Sequence, residues 1–268
     1  MDVVEGMVDF CYIETKDNLH SRIKANSKFG DFDLHEWVEK KFKIQKGNKV
    51  FDLGCGDGSY TKIFQNKVKK NGLVFGVDKN LELLKTAKKR FKKIPENVSY
   101  NCLDYDKAWN LKHTFDWVFS IYSLHHTNNF SGILSNVKKV LNQNGTFVII
   151  GPGEKNSEIL YGVHNCVTGK KVPKVYIKKM GRTENEFYEK LKKSFREKNI
   201  KKLVFNYKLC FPTPIDFAQY YWSTPLWRDE VKRLKVDKIN HLKAETVKYI
   251  TSKRYKNVKK QMACLICN

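Results

Sequence analysis

Between Lys49 and Gly151, short apolar runs alternate with amphipathic stretches. The runs KVFDLG, GLVFGVD, NVSYNCLD, FDWVFSIYS and GTFVIIG are predicted strands. From Ser59 to Lys70, Tyr60, Ile63, Phe64, Lys67 and Val68 fall on or near one helical face. NLELLKTAKKRFKK reads as a helix that Asn80 can cap, and FSGILSNVKKVLNQ as another. Strand–helix alternation at this spacing predicts a doubly wound α/β fold, its parallel sheet covered on both faces.

Further along, TENEFYEKLKKSF opens with Thr183 and Glu186 in a capping-box pattern, and KKLVFNYKLCF alternates as a strand. Thr213 and Pro214 mark the start of a helix through TPIDFAQYYW. A lysine-rich helical region and the strand VKKQMACLICN follow. Neither an internal repeat nor a long linker interrupts the pattern, which favours one domain.

Composition narrows the class. The 268 residues are 41% hydrophobic and 13% aromatic, enough for a packed core. No stretch approaches the roughly 20 apolar residues of a membrane span. MDVVEGMVDFCYIE lacks an export pattern, so a cytoplasmic location is expected. Cys11, Cys55, Cys102, Cys166, Cys210, Cys264 and Cys267 are odd in number and suit a reduced compartment. Cys264 and Cys267 form one CxxC without further ligands in the pattern, so they are read as strand residues and no metal is expected. The net charge of +23 could mark a nucleic-acid binder, yet only seven of the 51 basic residues are arginine. Lysine spread over nearly every helix reads better as a solvated surface.

Gly54, Gly56 and Gly58 sit at alternate positions, follow the first strand and open a helix. Glycines there let a ligand approach the backbone. The dinucleotide fingerprint needs its third glycine one residue later, so GCGDG departs from it. Asp78 ends the second strand, where a carboxylate can accept hydrogen bonds from ribose hydroxyls or serve as a turn or capping residue. The glycine turn, Asp78, Asp104 and Ser120–His126 all fall at carboxyl ends of predicted strands, and so converge on one crevice.

With its preceding Asp52, DLGCGDG resembles the first motif of class I S-adenosylmethionine-dependent methyltransferases. NCLDYD is similar to the family's third motif, FDWVFSIYSLHHT to its fourth, and VKKVLNQNGTFVIIGPG to the following helix, turn and strand. The closest subgroup resembles small-molecule enzymes of the ubiquinone and menaquinone type. NLHSRIKANSKFGDFDLHEWV is similar to an N-terminal helix and lid, and FPTPIDFAQYYWSTPLW to a helical cap. The resemblance implies a Rossmann-like fold with seven strands, the last antiparallel. Its parts would be a helical lid over 1–45, a cofactor-binding core over 46–153, and a cap with the last two strands over 154–268. It also implies S-adenosyl-L-methionine as cofactor. Leu103 and Asp104 would flank the adenine; Asp52, Gly54, Cys55, Gly56, Gly58, Asp78, Lys79, Tyr105, Ser120 and Tyr122 complete the cofactor candidates.

His125 and His126 stand just beyond the fourth strand, where the methyl group would lie. An unperturbed histidine titrates near pH ~6.5 and can take an acceptor's proton. His126 is the preferred base and His125 the one shaping the substrate side, although one could cap the turn while the other packs. Tyr12, Tyr122, Tyr220, Tyr221, Trp222 and Trp227 could line an apolar acceptor pocket; Tyr220 to Trp222 cannot all face one way on a helix, and Tyr221 or Trp222 is the one expected to reach it. Arg22 could pair with the cofactor's methionine carboxylate or be a surface helix residue. The leading function is methyl transfer to a small molecule. RNA or protein methylation is the alternative that the charge favours, but strand four lacks an Asn/Asp-Pro-Pro-Tyr sequence and a Pro-Cys nucleophile. A nicotinamide-dependent oxidoreductase or a non-catalytic nucleotide-binding module comes third.

Overall fold

The central parallel strands are buried on both faces, so helices must cover both. The computed structural model describes residues 15–268. Tyr12, an expected pocket residue, and Cys11 lie outside them. Two helices, α1 (Lys16–Phe29) and α2 (Leu34–Lys41), precede β1 (Lys49–Leu53). Then come α3 (Ser59–Val68), β2 (Leu73–Asp78), α4 (Leu81–Lys89), β3 (Val98–Cys102) and β4 (Phe115–Ile121). The chain continues with α5 (Phe130–Val140), β5 (Leu141–Pro152), α6 (Ile159–Thr168), α7 (Lys174–Lys179), α8 (Tyr188–Ser194) and β6 (Ile200–Cys210). It closes with α9 (Pro214–Trp222), α10 (Pro225–Val231), α11 (Val236–Ser252) and β7 (Asn257–Cys267).

Among the described residues the strands form one seven-stranded sheet, ordered β3-β2-β1-β4-β5-β7-β6. Strands β1 to β5 pair in parallel, whereas β7 runs antiparallel to both β5 and β6. The winding reverses between β1 and β4, which opens a crevice at their carboxyl ends.

Period-two alternation decides which residue covers which face. Val50, Val74, Phe119 and Val148 pack beneath Val38, Phe64, Val68, Leu84 and Ala87 of the α2–α4 layer. Phe51, Val77, Phe147 and Ile149 point the other way, onto Phe130, Ile133 and Val137 of α5 and Leu191 of α8. Cys264 and Cys267 are divided between these two cores, so their thiols cannot converge on one ion. A third cluster joins Ala25 of α1 to Leu160, Val163, Phe217, Tyr221, Trp227 and Leu242 from the distal helices. That cluster roofs the crevice.

Local signals account for most element starts. Asn80 caps α4 by accepting from the Glu82 and Leu83 amides at 3.0 and 3.2 Å. Thr213 caps α9 by accepting from the Asp216 amide at 3.2 Å. The capping box expected at Thr183 and Glu186 does not form. Thr183–Phe187 is a π-helical turn, and Thr183 lies face down over Gly151, where an added Cβ would sit 2.3 Å from its Oγ1. The Glu186 carboxylate instead accepts from Arg182 Nε and Nη2 at 2.7 and 3.1 Å.

Phe64 and Phe119 stack with centroids 4.5 Å apart and are fully buried between α3 and β4. Phe119→Ala is expected to cost about 3–5 kcal/mol. In a chain of this size that lowers the thermal midpoint by about 10 °C, measurable by calorimetry.

Candidate functional site

The glycine turn between β1 and α3 forms the floor of the crevice. All three glycines take positive φ, at 77°, 55° and 76°. A Cβ on Gly54 would lie 1.9 Å from Ser123 Oγ, and one on Gly58 2.7 Å from Ala87 Cβ. Those two glycines therefore permit packing of protein on protein. Gly56 differs: its added Cβ would meet nothing nearer than Leu19 Cδ2 at 4.0 Å. It is the glycine that opens toward a ligand. The Gly54 and Cys55 amides both donate to the Val77 carbonyl at 2.8 Å, fastening the turn to β2.

Asp78 ends β2 beside that turn. Its Oδ2 accepts from the Gly56 amide at 2.9 Å, and its Oδ1 accepts from the Asn80 amide at 2.8 Å. Burial pushes its pKa up, opposed by those amide bonds. Asp52, under the turn, accepts from Thr61 Oγ1 at 2.6 Å; burial raises its pKa to about 7. Asp57 is buried and bonded to Arg90, and His20 Nε2 of α1 lies 3.2 Å from its Oδ2. The roof helix is thus tied to the turn it covers.

Beyond β4 the chain bends sharply at Tyr122, a non-glycine residue at φ 52°. Such a conformation costs on the order of 1–3 kcal/mol and persists where the surroundings hold it. The Tyr122 amide donates to the Ile150 carbonyl at 2.7 Å, and the next turn, Leu124–His126, projects over the crevice. Arg182 clamps that turn, with Nη1 donating to the His125 and Thr127 carbonyls at 3.1 and 2.7 Å. The two imidazoles lie against each other, centroids 3.9 Å apart. Burial, reinforced by Lys179, Arg182 and Arg22, drives the His125 pKa down to about 3. Burial also lowers His126 far below the ordinary value, with His125 and Lys179 adding to it. Both rings are neutral at physiological pH and far less basic than the unperturbed histidine that the sequence suggested.

The crevice holds about 990 Å³. Of the residues expected there, Arg22, Asp52, Gly54, Cys55, Gly56, Asp78, Lys79, Tyr105, Tyr122, His125 and His126 line it. Arg22 Nη1 also donates to the Ser223 carbonyl at 2.5 Å, joining α1 to the end of α9. Other expected residues sit elsewhere. Gly58 is packed under α4 as described. Leu103 joins the core beneath α5, and Asp104 turns to accept from the Asp106 amide at 3.2 Å. Ser120 is wholly buried within the sheet. Tyr221 is a correction: it is buried in the roof, its hydroxyl 2.8 Å from His164 Nδ1. Trp222 packs against the same cluster, near Trp227 and under Lys243, and does not line the crevice. Their neighbour Tyr220 lines the crevice instead, because successive helical residues point about 100° apart. Lys179, Tyr207 and Lys260 also line it and carried no motif in the sequence.

Comparison with known proteins follows the same outline. A family model described as a methyltransferase domain matches residues 44–234. Over 155 residues the chain is 25% identical to the ubiquinone/menaquinone biosynthesis C-methyltransferase UbiE of Methylococcus capsulatus, covering 57% of this chain and 62% of that protein. It is 35% identical over 114 residues to juvenile hormone acid O-methyltransferase of Bombyx mori, covering 41% and 40% of the two chains. These alignments span less than two thirds of either relative's length. A solved SAM-dependent methyltransferase from Geobacter sulfurreducens, in complex with S-adenosyl-L-homocysteine, has a TM-score of 0.54 at 11% identity, covering 96% of this chain and 100% of that one. At that identity the likeness is one of fold.

The depressed histidines give the site a pH signature. Below pH about 6.5 the unfolded chain takes up a proton that folded His125 refuses, so stability falls as pH drops toward 3. The loss reaches about 1.4 kcal/mol per pH unit for each such histidine. In urea titrations His125→Asn should lose about 2 kcal/mol less than the parent between about pH 7 and pH 5. Parallel curves would show that His125 is not held neutral.

Proposed function

The chain belongs to the methyltransferase domain family, within the class I S-adenosylmethionine-dependent methyltransferases, and from that premise we propose that it methylates a small molecule held in the crevice above β1 and β4. The observation that carries this reading is the division of the crevice. One end has the open Gly56 turn and the Asp78 carboxylate; the other has Tyr122, Tyr207, Tyr220 and the histidine turn. The first end fits the nucleoside of S-adenosyl-L-methionine, since a strand-end carboxylate suits ribose hydroxyls and an uncovered glycine admits close approach. The Gly54–Gly56 backbone, Asp78, Lys79 and Tyr105 would hold it there, with Leu103 and Asp104 in the adjoining loop. When bound, the cofactor supplies an electrophilic methyl group on its sulfonium.

The protein's own task is then alignment. Proximity and orientation can lower such a barrier by several kcal/mol, roughly 7–11 at best. His126, neutral and held by the clamped turn, accepts a hydrogen bond from the acceptor's hydroxyl or amine and orients its lone pair. Its depressed basicity makes it a weak proton acceptor, so positioning carries more of the rate than proton removal. His125 shapes the wall behind it.

A small acceptor is supported by the volume of about 990 Å³ beneath a helical roof, a size that suits a cofactor with a compact partner. The names of the relatives point the same way, one acting in quinone biosynthesis and one on an acid hormone. Among the described residues no helix is long and apolar enough to cross a membrane.

Calorimetry should show S-adenosyl-L-homocysteine binding and NAD not binding; the reverse would overturn the reading. Asp78→Ala is expected to weaken homocysteine-product binding about 100-fold, the equivalent of roughly 3 kcal/mol. His126→Ala should leave that affinity intact and slow turnover about 100-fold once an acceptor is found. Metabolite extracts incubated with radiolabelled cofactor identify that acceptor.

A further inference from the structure

Lys260 stands on β7 just past the carboxyl end of β5, with its side chain on the crevice wall. It is one of the most buried charged residues of the chain, only 9% exposed. Its ammonium donates to Tyr220 Oη at 2.8 Å and Ser157 Oγ at 3.0 Å, both neutral. An ammonium carries three N–H donors, and among the described residues the third has no partner. No carboxylate among them ion-pairs with it. Those lining the crevice are engaged elsewhere: Asp33 with His35, Asp57 with Arg90, Glu82 with Lys85, Asp229 with Arg228 and Glu230 with Lys170, while Asp52 accepts from Thr61 and Asp78 from backbone amides. The surroundings add positive charge, for Arg22 and Lys179 line the same cavity.

A buried, unneutralised ammonium is costly, and a chain retains one readily where a ligand supplies the opposite charge. The backbone holds this one in place deliberately. Ser157, whose hydroxyl receives the ammonium, takes φ 61°, a left-handed conformation that disfavours serine. Its amide donates to the Lys259 carbonyl at 3.0 Å, so the strained residue is laced to the strand that carries Lys260.

Resting on the methyl-transfer reading, we propose that Lys260 is the docking point for an anionic oxygen of the acceptor, so the acceptor is an apolar-bodied carboxylate. Sheet order sets its length. From β4, which carries the histidine turn, to β7 is two strand spacings, roughly 10 Å. The carboxylate lies at Lys260, the apolar body along Tyr122, Tyr207 and Tyr220, and the methylated atom by the histidines. The cofactor's own carboxylate is a different charge, on the methionine arm for which Arg22 is the expected partner; its ribose end is anchored at Asp78, four strands away from β7.

The test uses biphenyl-4-acetate and its uncharged amide as probes, titrated by calorimetry into the full-length protein with and without S-adenosyl-L-homocysteine. The carboxylate should bind at least about tenfold more tightly than the amide. Lys260→Met should abolish that preference and leave homocysteine-product affinity unchanged, while Tyr220→Phe should reduce the preference. Equal binding of the two probes, no binding of the carboxylate, or a Lys260→Met protein that keeps the preference or loses product affinity each overturns the proposal. If the parent fails to bind S-adenosyl-L-homocysteine, the methyl-transfer reading falls separately; the preference for carboxylate is measured without cofactor and stands on its own.

Discussion

The whole site depends on the reversal of winding between β1 and β4. Because β1, β2, β4 and β5 run parallel, every loop leaving their carboxyl ends emerges on one side of the sheet. Reversal of the order separates the loops after β1 and β4, so neither crossover helix fills the gap between them. The glycine turn and the histidine turn then face each other across an opening that the fold itself creates. Burial on both faces fixes the strands that carry them, and a one-residue slip of β4 would exchange Phe119 and Val118 between two different cores.

Long-range polar contacts hold this opening in shape. Arg182 reaches from the turn before α8 to the carbonyls of the histidine turn, and its guanidinium is itself fixed by Glu186. That pairing pulls the Glu186 pKa down to about 2. Arg90 grips both the backbone and the carboxylate of Asp57, holding the glycine turn against α4. On the roof, His20 meets Asp57 and Arg22 meets the end of α9. The turns are strained or glycine-rich, and these ties supply the over-determination that such backbone requires.

The parts of this arrangement that are local were legible in the sequence. The strand runs, the alternate glycines, Asp78 at a strand end and the His-His doublet each announce themselves within a few residues. What escaped depends on geometry that only tertiary packing sets. Tyr220 and Tyr221 differ by one helical step, and which of them faces the crevice is decided by the docking of α9 on α6, α10 and α11. Thr183 and Glu186 match a capping box, but Thr183 is needed to fill the space above Gly151 and Arg182 offers Glu186 a charged partner. Lys260 lies in VKKQMACLICN as one lysine of many, and only its strand parity places it inward. Histidine basicity was misread for the same reason: burial and nearby cations belong to the fold, not to the motif.

The distribution of charge along the crevice ties these points together. Asp52 and Asp78 stand toward the carboxyl ends of β1 and β2, with Lys79 next to Asp78, while Lys260 stands on β7 beyond the carboxyl end of β5. The histidines sit between them without charge of their own. A buried lysine without a carboxylate partner favours an anionic ligand at its end of the cleft, and low dielectric strengthens that preference. On the reading proposed above, that ligand is an acidic acceptor, with the cofactor's ribose at the Asp78 end. Had an aspartate lain beneath Tyr220, the lysine would have been neutralised and an anionic acceptor repelled. The histidines stay neutral first because the wall is dry, and Lys179 and Arg22 add to the penalty on a further positive charge.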